Sequence, residues 1–247
     1  MLLKKPLRDF VRTRCDRVID NQKVSCASIA NGSPTIVFES GFCLGISCMK
    51  YWDSAFLTLS ENYSVFAYDR VDEGLEGQEI EHIEAHINDT LHHVRMMLQA
   101  KSLNPPYILV GHSLGGLYSQ HFAQRYPHEV AGVVLVDAVY PESIEQEDKV
   151  DNIDENIAKI AQALLLKPKL DATLPIHLLS ALQADSQANR CTTTKMIETS
   201  IAHQKAYQDF YPFAKQTWVE SGHLIQYEKP QVIVEAVKEI SYYLFNQ

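Results

Sequence analysis

Ser113 stands between two glycines in Gly111-His112-Ser113-Leu114-Gly115-Gly116. A serine hydroxyl is a poor nucleophile near neutral pH and needs an adjacent base. Histidine suits that task because its ordinary pKa lies close to working pH. Of ten histidines, His223 is the candidate, in Ser221-Gly222-His223. His112 is set aside, since its place beside the nucleophile points its ring elsewhere. A carboxylate must then accept the other imidazole N–H and fix the tautomer. Asp137 follows Val133-Val134-Leu135-Val136, and Asp185 follows Ser180-Ala181-Leu182-Gln183-Ala184. Asp137 leaves a buried run directly, where an unpaired carboxylate would be costly. Asp185 sits among Gln183, Ser186, Gln187 and Asn189, as a solvated loop residue would. Asp137 is therefore preferred as the acid, with Asp185 kept as the alternative.

Each of these residues needs an element to hold it. Tyr107-Ile108-Leu109-Val110 is a short β-prone run behind Pro105-Pro106, and Leu117, Phe122 and Ala123 continue after the glycines as one face of a helix. Ser113 thus falls on a tight strand-to-helix turn, where glycines remove the β-carbons that would block a close approach. The Leu114 amide then lies at a helix N-terminus, which favours negative charge. Gln216-Thr217-Trp218-Val219 is a strand that delivers His223 to the carboxyl edge of a sheet, the edge where Ser113 also lies.

Gly111-His112-Ser113-Leu114-Gly115-Gly116 resembles the nucleophile elbow of the α/β-hydrolase superfamily. Further landmarks match in order: Glu39-Ser40-Gly41-Phe42, Tyr68-Asp69-Arg70, Leu135-Val136-Asp137 and Ser221-Gly222-His223. Together they cover the chain from about residue 24 to its end. The resemblance implies a mostly parallel central sheet with helices on both faces, and a serine–histidine–acid triad. It places one oxyanion donor at the Leu114 amide and a second at the Phe42 amide, in the loop after Thr35-Ile36-Val37-Phe38. Most family members carry the acid at the later position and a minority at the earlier one. The later loop here lacks the usual Gly-x-x-Asp lead-in. Two departures stand out: Ser40-Gly41 replaces the more frequent His-Gly, and Val71-Asp72-Glu73-Gly74-Leu75-Glu76 replaces a glycine-rich loop. The family has its lid after the strand that ends at Val136, so residues 138–174 are expected to form a small helical lid on one 1–247 domain.

The implied activity is cleavage of a carboxylic ester or related acyl bond through an acyl-enzyme, with no metal and no organic cofactor. Ester, thioester, lactone and amide are left open. Two other readings share the residues: a cofactor-free C–C hydrolase or perhydrolase, and a binding protein that keeps the fold without catalysis. A serine at the elbow disfavours the aspartate-based dehalogenase and epoxide-hydrolase chemistries.

At 247 residues, 46% hydrophobic and 21% charged, the chain has an ordinary globular composition with room for one large core. A net charge of −9 argues against a nucleic-acid partner. No apolar run is long enough to span a membrane, and Met1-Leu2-Leu3-Lys4-Lys5-Pro6 lacks a signal core. The five cysteines, Cys15, Cys26, Cys43, Cys48 and Cys191, read as reduced thiols in a cytoplasmic protein. Cys43 and Cys48 are close enough for a regulatory bridge.

The remaining elements read as follows. Residues 1–20 interleave Lys4, Lys5, Arg8, Arg12, Arg14 and Arg17 with apolar side chains, as a short amphipathic helix, read as packed on the domain in preference to lying on an anionic membrane. Lys23–Ala30 reads as an edge strand, Met49–Leu59 as a helix, and Tyr63–Tyr68 as a buried strand. Ile80, Ile83, Ile87, Leu91, Val94 and Leu98 form a helical stripe. The helix bearing that stripe carries His82, His86, His92 and His93, which read as solvated rather than metal-binding. Ile157, Ile160, Ala161 and Leu164 mark another helix, Pro175–Leu179 another strand, and Pro230 opens a terminal helix with Ile233, Val237, Ile240 and Leu244 inward. Strands alternating with helices imply a parallel sheet covered on both faces.

Overall fold

Strand β3 (Thr35–Glu39) lies at the centre of the topology. The chain leaves it to form β4 (Ser64–Tyr68) on one side, then returns to form β5 (Tyr107–His112) on the other. Such a reversal opens a crevice at the carboxyl ends of the two flanking strands. The computed structural model describes residues 14–19, 22–42, 48–70, 80–142, 152–183 and 194–246.

With β1 (Arg14–Ile19), β2 (Gln22–Ile29), β6 (Val130–Val136), β7 (Ile176–Ala181) and β8 (Lys215–Val219), the sheet has eight strands in the order β1-β2-β4-β3-β5-β6-β7-β8. The β1–β2 and β2–β4 pairs are antiparallel and every other pair is parallel. Strands β3, β4, β5 and β7 are buried along their whole length. That burial explains the apolar runs at the centres of β3, β4 and β5, as parallel strands covered on both faces show.

One face is covered by α2 (Ile83–Ala100), α3 (Leu114–Arg125), α4 (Asn152–Leu165) and α5 (Thr194–Phe210). The other is covered by a 3-10 turn (Met49–Trp52), α1 (Asp53–Leu59), α6 (Ile225–Glu228) and α7 (Pro230–Phe245). The stripe Ile87, Leu91, Val94 and Leu98 is buried on the sheet, as the three- and four-residue spacing predicts. No helix among the described residues is long and apolar enough to cross a membrane.

Four expectations need correction. Residues 14–19 of the expected N-terminal helix are strand β1, with Arg14 opposite Ala27 and Ile19 opposite Gln22; residues 1–13 lie outside the described residues. The expected edge strand is β2, and β1 covers its free side. Helix α5 lies in a stretch for which the sequence pattern announces no element. Cys26 and Cys48 are each disulfide-bonded, not reduced thiols. Cys43, the partner considered for Cys48, lies outside the described residues, as does the loop 71–79.

In the stretch expected to be a lid, α4 packs on α2 and α3 with Ile160, Ala161 and Leu164 buried. Asn156 accepts the Ile80 N–H at 3.0 Å, tying α4 to the start of α2. Residues 143–151 of that stretch lie outside the described residues. His86 is not simply solvated: its Nε2 lies 3.0 Å from the Tyr118 hydroxyl, while His82 and His92 are exposed.

Candidate active site

Ser113 is the hinge between β5 and α3, with φ 52° and ψ −123°. A serine there is strained by about 1–3 kcal/mol and persists only if its surroundings over-determine it. They do so on both sides. The Ser113 N–H donates to the Val136 carbonyl at 3.1 Å. The Ser113 carbonyl accepts from Gly116 N–H at 2.9 Å and from Val139 N–H at 3.2 Å. Gly115 has no alternative residue: a β-carbon there would drive into the Glu39 carbonyl, with the Ser40 carbonyl 2.6 Å away. Helix α3 thus presses directly against the end of β3.

The loop leaving β3 passes over the serine. A β-carbon on Gly41 would lie 3.1 Å from Ser113 Cβ and 2.9 Å from His112 Nδ1. Phe42 follows in that loop, and Leu114 is the first residue of α3. The backbone of the loop after β3 is held by Arg70, whose guanidinium donates to the Ser40 carbonyl at 3.0 Å and the Gly41 carbonyl at 3.3 Å. Arg70 is itself buried against Glu39, with Nη1 3.6 Å from a carboxylate oxygen, and stacks on the Tyr118 ring at 4.4 Å. The Tyr68 hydroxyl lies 2.7 Å from both Glu39 oxygens. Trp52 Nε1 donates to the Ser40 hydroxyl at 3.1 Å and so fixes the Ser40 side chain at the end of β3.

Asp137 leaves β6 with φ 40°, a second non-glycine residue in the left-handed region. Its N–H donates to the Leu179 carbonyl at 2.7 Å. Its Oδ1 accepts the Ala181 N–H at 3.0 Å, and its Oδ2 lies 2.6 Å from His223 Nδ1. Both carboxylate oxygens are therefore committed. The carboxylate holds the proton on Nδ1 and leaves the Nε2 lone pair for other work. The acid side chain is 5% exposed while the imidazole is 42% exposed. A buried carboxylate thus presents a half-open histidine to the site. Asp185, the alternative acid, lies outside the described residues.

His112 braces this arrangement. Its Nε2 donates to the His223 carbonyl at 2.9 Å, and the two rings lie 4.4 Å apart. Burial, with His223 close by, holds its pKa well below 6.5, so it stays neutral. Its bonding nitrogen is spent on the backbone of residue 223.

Sequence reasoning missed His112 as a brace, Arg70 and Glu39 as the support of the loop, and Gln204 and Tyr207 behind Asp137. The register offered a signal for one of them. Phe38 pairs with Ala67, so Glu39 must neighbour Tyr68 across β3 and β4. Among the described residues no three His, Cys, Asp or Glu side chains converge as metal ligands.

Residues 34–220 match the family model described as the alpha/beta hydrolase fold. The chain belongs to that family. Uncharacterized protein YbdG of Bacillus subtilis is 29% identical over 50% of this chain and 37% of its own length, so the chain spans about a third of that relative. Uncharacterized protein YqjL of the same organism is 22% identical over 83% of each. Among solved structures, alpha/beta hydrolase domain-containing protein 10 from mouse superimposes with a TM-score of 0.63 at 17% identity, over 94% of this chain and 99% of that one. That likeness is one of fold.

Proposed function

We propose that this hydrolase-fold chain is a serine hydrolase of carboxylic esters or related acyl bonds. The observation that carries the reading is the Asp137–His223 pair at 2.6 Å, on the same sheet edge as a serine with φ 52°. In this reading Ser113 Oγ attacks the carbonyl carbon while His223 Nε2 takes its proton. The Asp137 carboxylate stabilises the imidazolium that results. The amides of Leu114 and Phe42 donate to the oxyanion, and such donors supply much of the rate enhancement. The intermediate collapses, and His223 gives the proton to the leaving oxygen. Water, deprotonated by His223, then attacks the acyl carbon, and the proton passes from His223 to Ser113 Oγ as the acid leaves. No step calls for a metal or organic cofactor, and the partner is a small acyl substrate.

The segment 138–174 is proposed to govern access as a lid, with α4 as its anchored part. The disulfides at Cys26 and Cys48 favour an oxidising compartment over the cytoplasm first expected. A panel of p-nitrophenyl esters of graded acyl length tests the reading. A burst of nitrophenol and an acyl adduct on Ser113 are expected, with turnover lost in Ser113→Ala. Unchanged turnover in Ser113→Ala, without an adduct in the parent chain, refutes it.

A further inference from the structure

We infer that helix α5 positions the Asp137 carboxylate through the side chains of Tyr207 and Gln204, an inference that rests on the serine-hydrolase reading. Asp137 carries its carboxylate on a backbone turned to φ 40°. An aspartate tolerates that region better than most residues, but the conformation still needs fixing from both sides. On the upstream side the fixing bond is the Asp137 N–H to Leu179. On the downstream side two fixing bonds come from α5. Gln204 Nε2 donates to the Ala138 carbonyl at 2.8 Å, and the Tyr207 hydroxyl donates to the Val139 carbonyl at 2.5 Å. Val139 N–H in turn donates to the Ser113 carbonyl. The three residues that turn the acid toward His223 are thus clamped between β7, α5 and the elbow.

Gln204 also reaches the other side of the carboxylate. Its Oε1 accepts from the Ser180 hydroxyl at 3.1 Å, and Ser180 precedes the Ala181 whose N–H holds Asp137 Oδ1. One amide therefore joins the exit of β6 to the end of β7, where the acid is gripped. Tyr207 is fully buried and receives Gln120 Nε2 at 3.2 Å, while Gln120 Oε1 accepts from Tyr211 at 2.8 Å. Burial keeps the Tyr207 hydroxyl protonated, so it remains a donor across the working pH range. A merely structural role would predict a loss of stability from these side chains. A positioning role predicts a loss that runs through Asp137.

The experiment compares Tyr207→Phe and Gln204→Met, each in the parent chain and in Asp137→Asn. Turnover of a p-nitrophenyl ester is measured, with the imidazole Nδ1–H resonance of His223 followed by proton NMR and folding checked by thermal unfolding. In the parent chain kcat is expected to fall by about one to two decades at little-changed KM, with the resonance shifted or broadened. In Asp137→Asn the same substitutions are expected to cost under about twofold more, because the group they position is already disabled. Equal fold losses in both backgrounds, or an unmoved resonance with kcat within about twofold of the parent, overturn the inference. The resonance reports the Asp137–His223 contact whether or not Ser113 is the nucleophile. Failure of the hydrolase reading is seen separately, as turnover that survives Ser113→Ala. If Tyr207→Phe does not fold, Gln204→Met carries the same comparison alone.

Discussion

Asp137→Asn changes one atom of the site, and its effect can be worked from the two bonds that the carboxylate makes. Oδ1 accepts from Ala181 N–H at 3.0 Å and Oδ2 accepts from His223 Nδ1–H at 2.6 Å. Asparagine has only one acceptor oxygen, so one of these donors must face its NH2 group. If the NH2 faces Ala181, two buried donors meet and one stays unpaired, at a cost of about 1–3 kcal/mol. If it faces His223, every group is satisfied, but Nδ1 must now accept. The proton then sits on Nε2, the nitrogen that takes the Ser113 proton in the proposed mechanism. The second arrangement prevails, and the variant folds with its base in the wrong tautomer. Loss of the orienting acid in this way costs about four decades in kcat, or about 5.5 kcal/mol. The assay is steady-state hydrolysis of a p-nitrophenyl ester by the parent, Asp137→Asn and Asp185→Asn, at matched folding by circular dichroism. KM should change little, and Asp185→Asn should be mild. A loss below about tenfold in Asp137→Asn, or a larger loss in Asp185→Asn, refutes the reasoning.

Arg70→Met leaves Glu39 buried without its cation and frees the carbonyls of Ser40 and Gly41; stability should fall by about 3–5 kcal/mol in urea unfolding, and a change below about 1 kcal/mol would show that the ion pair is dispensable. Burial depresses the pKa of His112, of His177 and of His121, the last to about 4 from 6.5. The unfolded chain therefore binds protons that the folded one refuses, and stability should be full above pH 6.5 and fall as the pH drops below it. His121 alone contributes about 3 kcal/mol of that loss by the time its folded pKa is reached, so His121→Gln should flatten the decline; an unchanged slope counts against it. Cys26 and Cys48 should resist alkylation in the unreduced, denatured chain, and reduction should cost about 2–5 kcal/mol of stability; alkylation of both without reductant contradicts the bridges.

Much of the candidate site was legible because its signals are local. The glycines around Ser113 are demanded by contacts within a few residues and with the neighbouring strand end, and the buried strands β3, β4 and β5 announce themselves as apolar runs. His223 was legible from the strand before it. The proposed acid was not fully so, because two strand ends could each deliver an aspartate and the distance to His223 is a tertiary fact. Helix α5 escaped because Gln204 and Tyr207 interrupt its apolar stripe with groups whose partners, Ala138 and Val139, are far away in sequence. Strand β1 escaped because its charged and apolar residues suit a helix as well as an edge strand, and only pairing with β2 decides between them. The disulfides have no local signature, since the sequence spacing of cysteines does not report which ones meet in space.

Covalent capture of Ser113 bears most directly on the reading of this chain as a serine hydrolase. The folded protein is treated with a fluorophosphonate, digested and mapped by mass spectrometry, with Ser113→Ala and His223→Ala alongside. One adduct on Ser113 is predicted in the parent chain, none in Ser113→Ala, and slowed labelling in His223→Ala. An adduct on another serine in all three proteins, or no adduct on the folded parent, would contradict the assignment of Ser113 as the nucleophile.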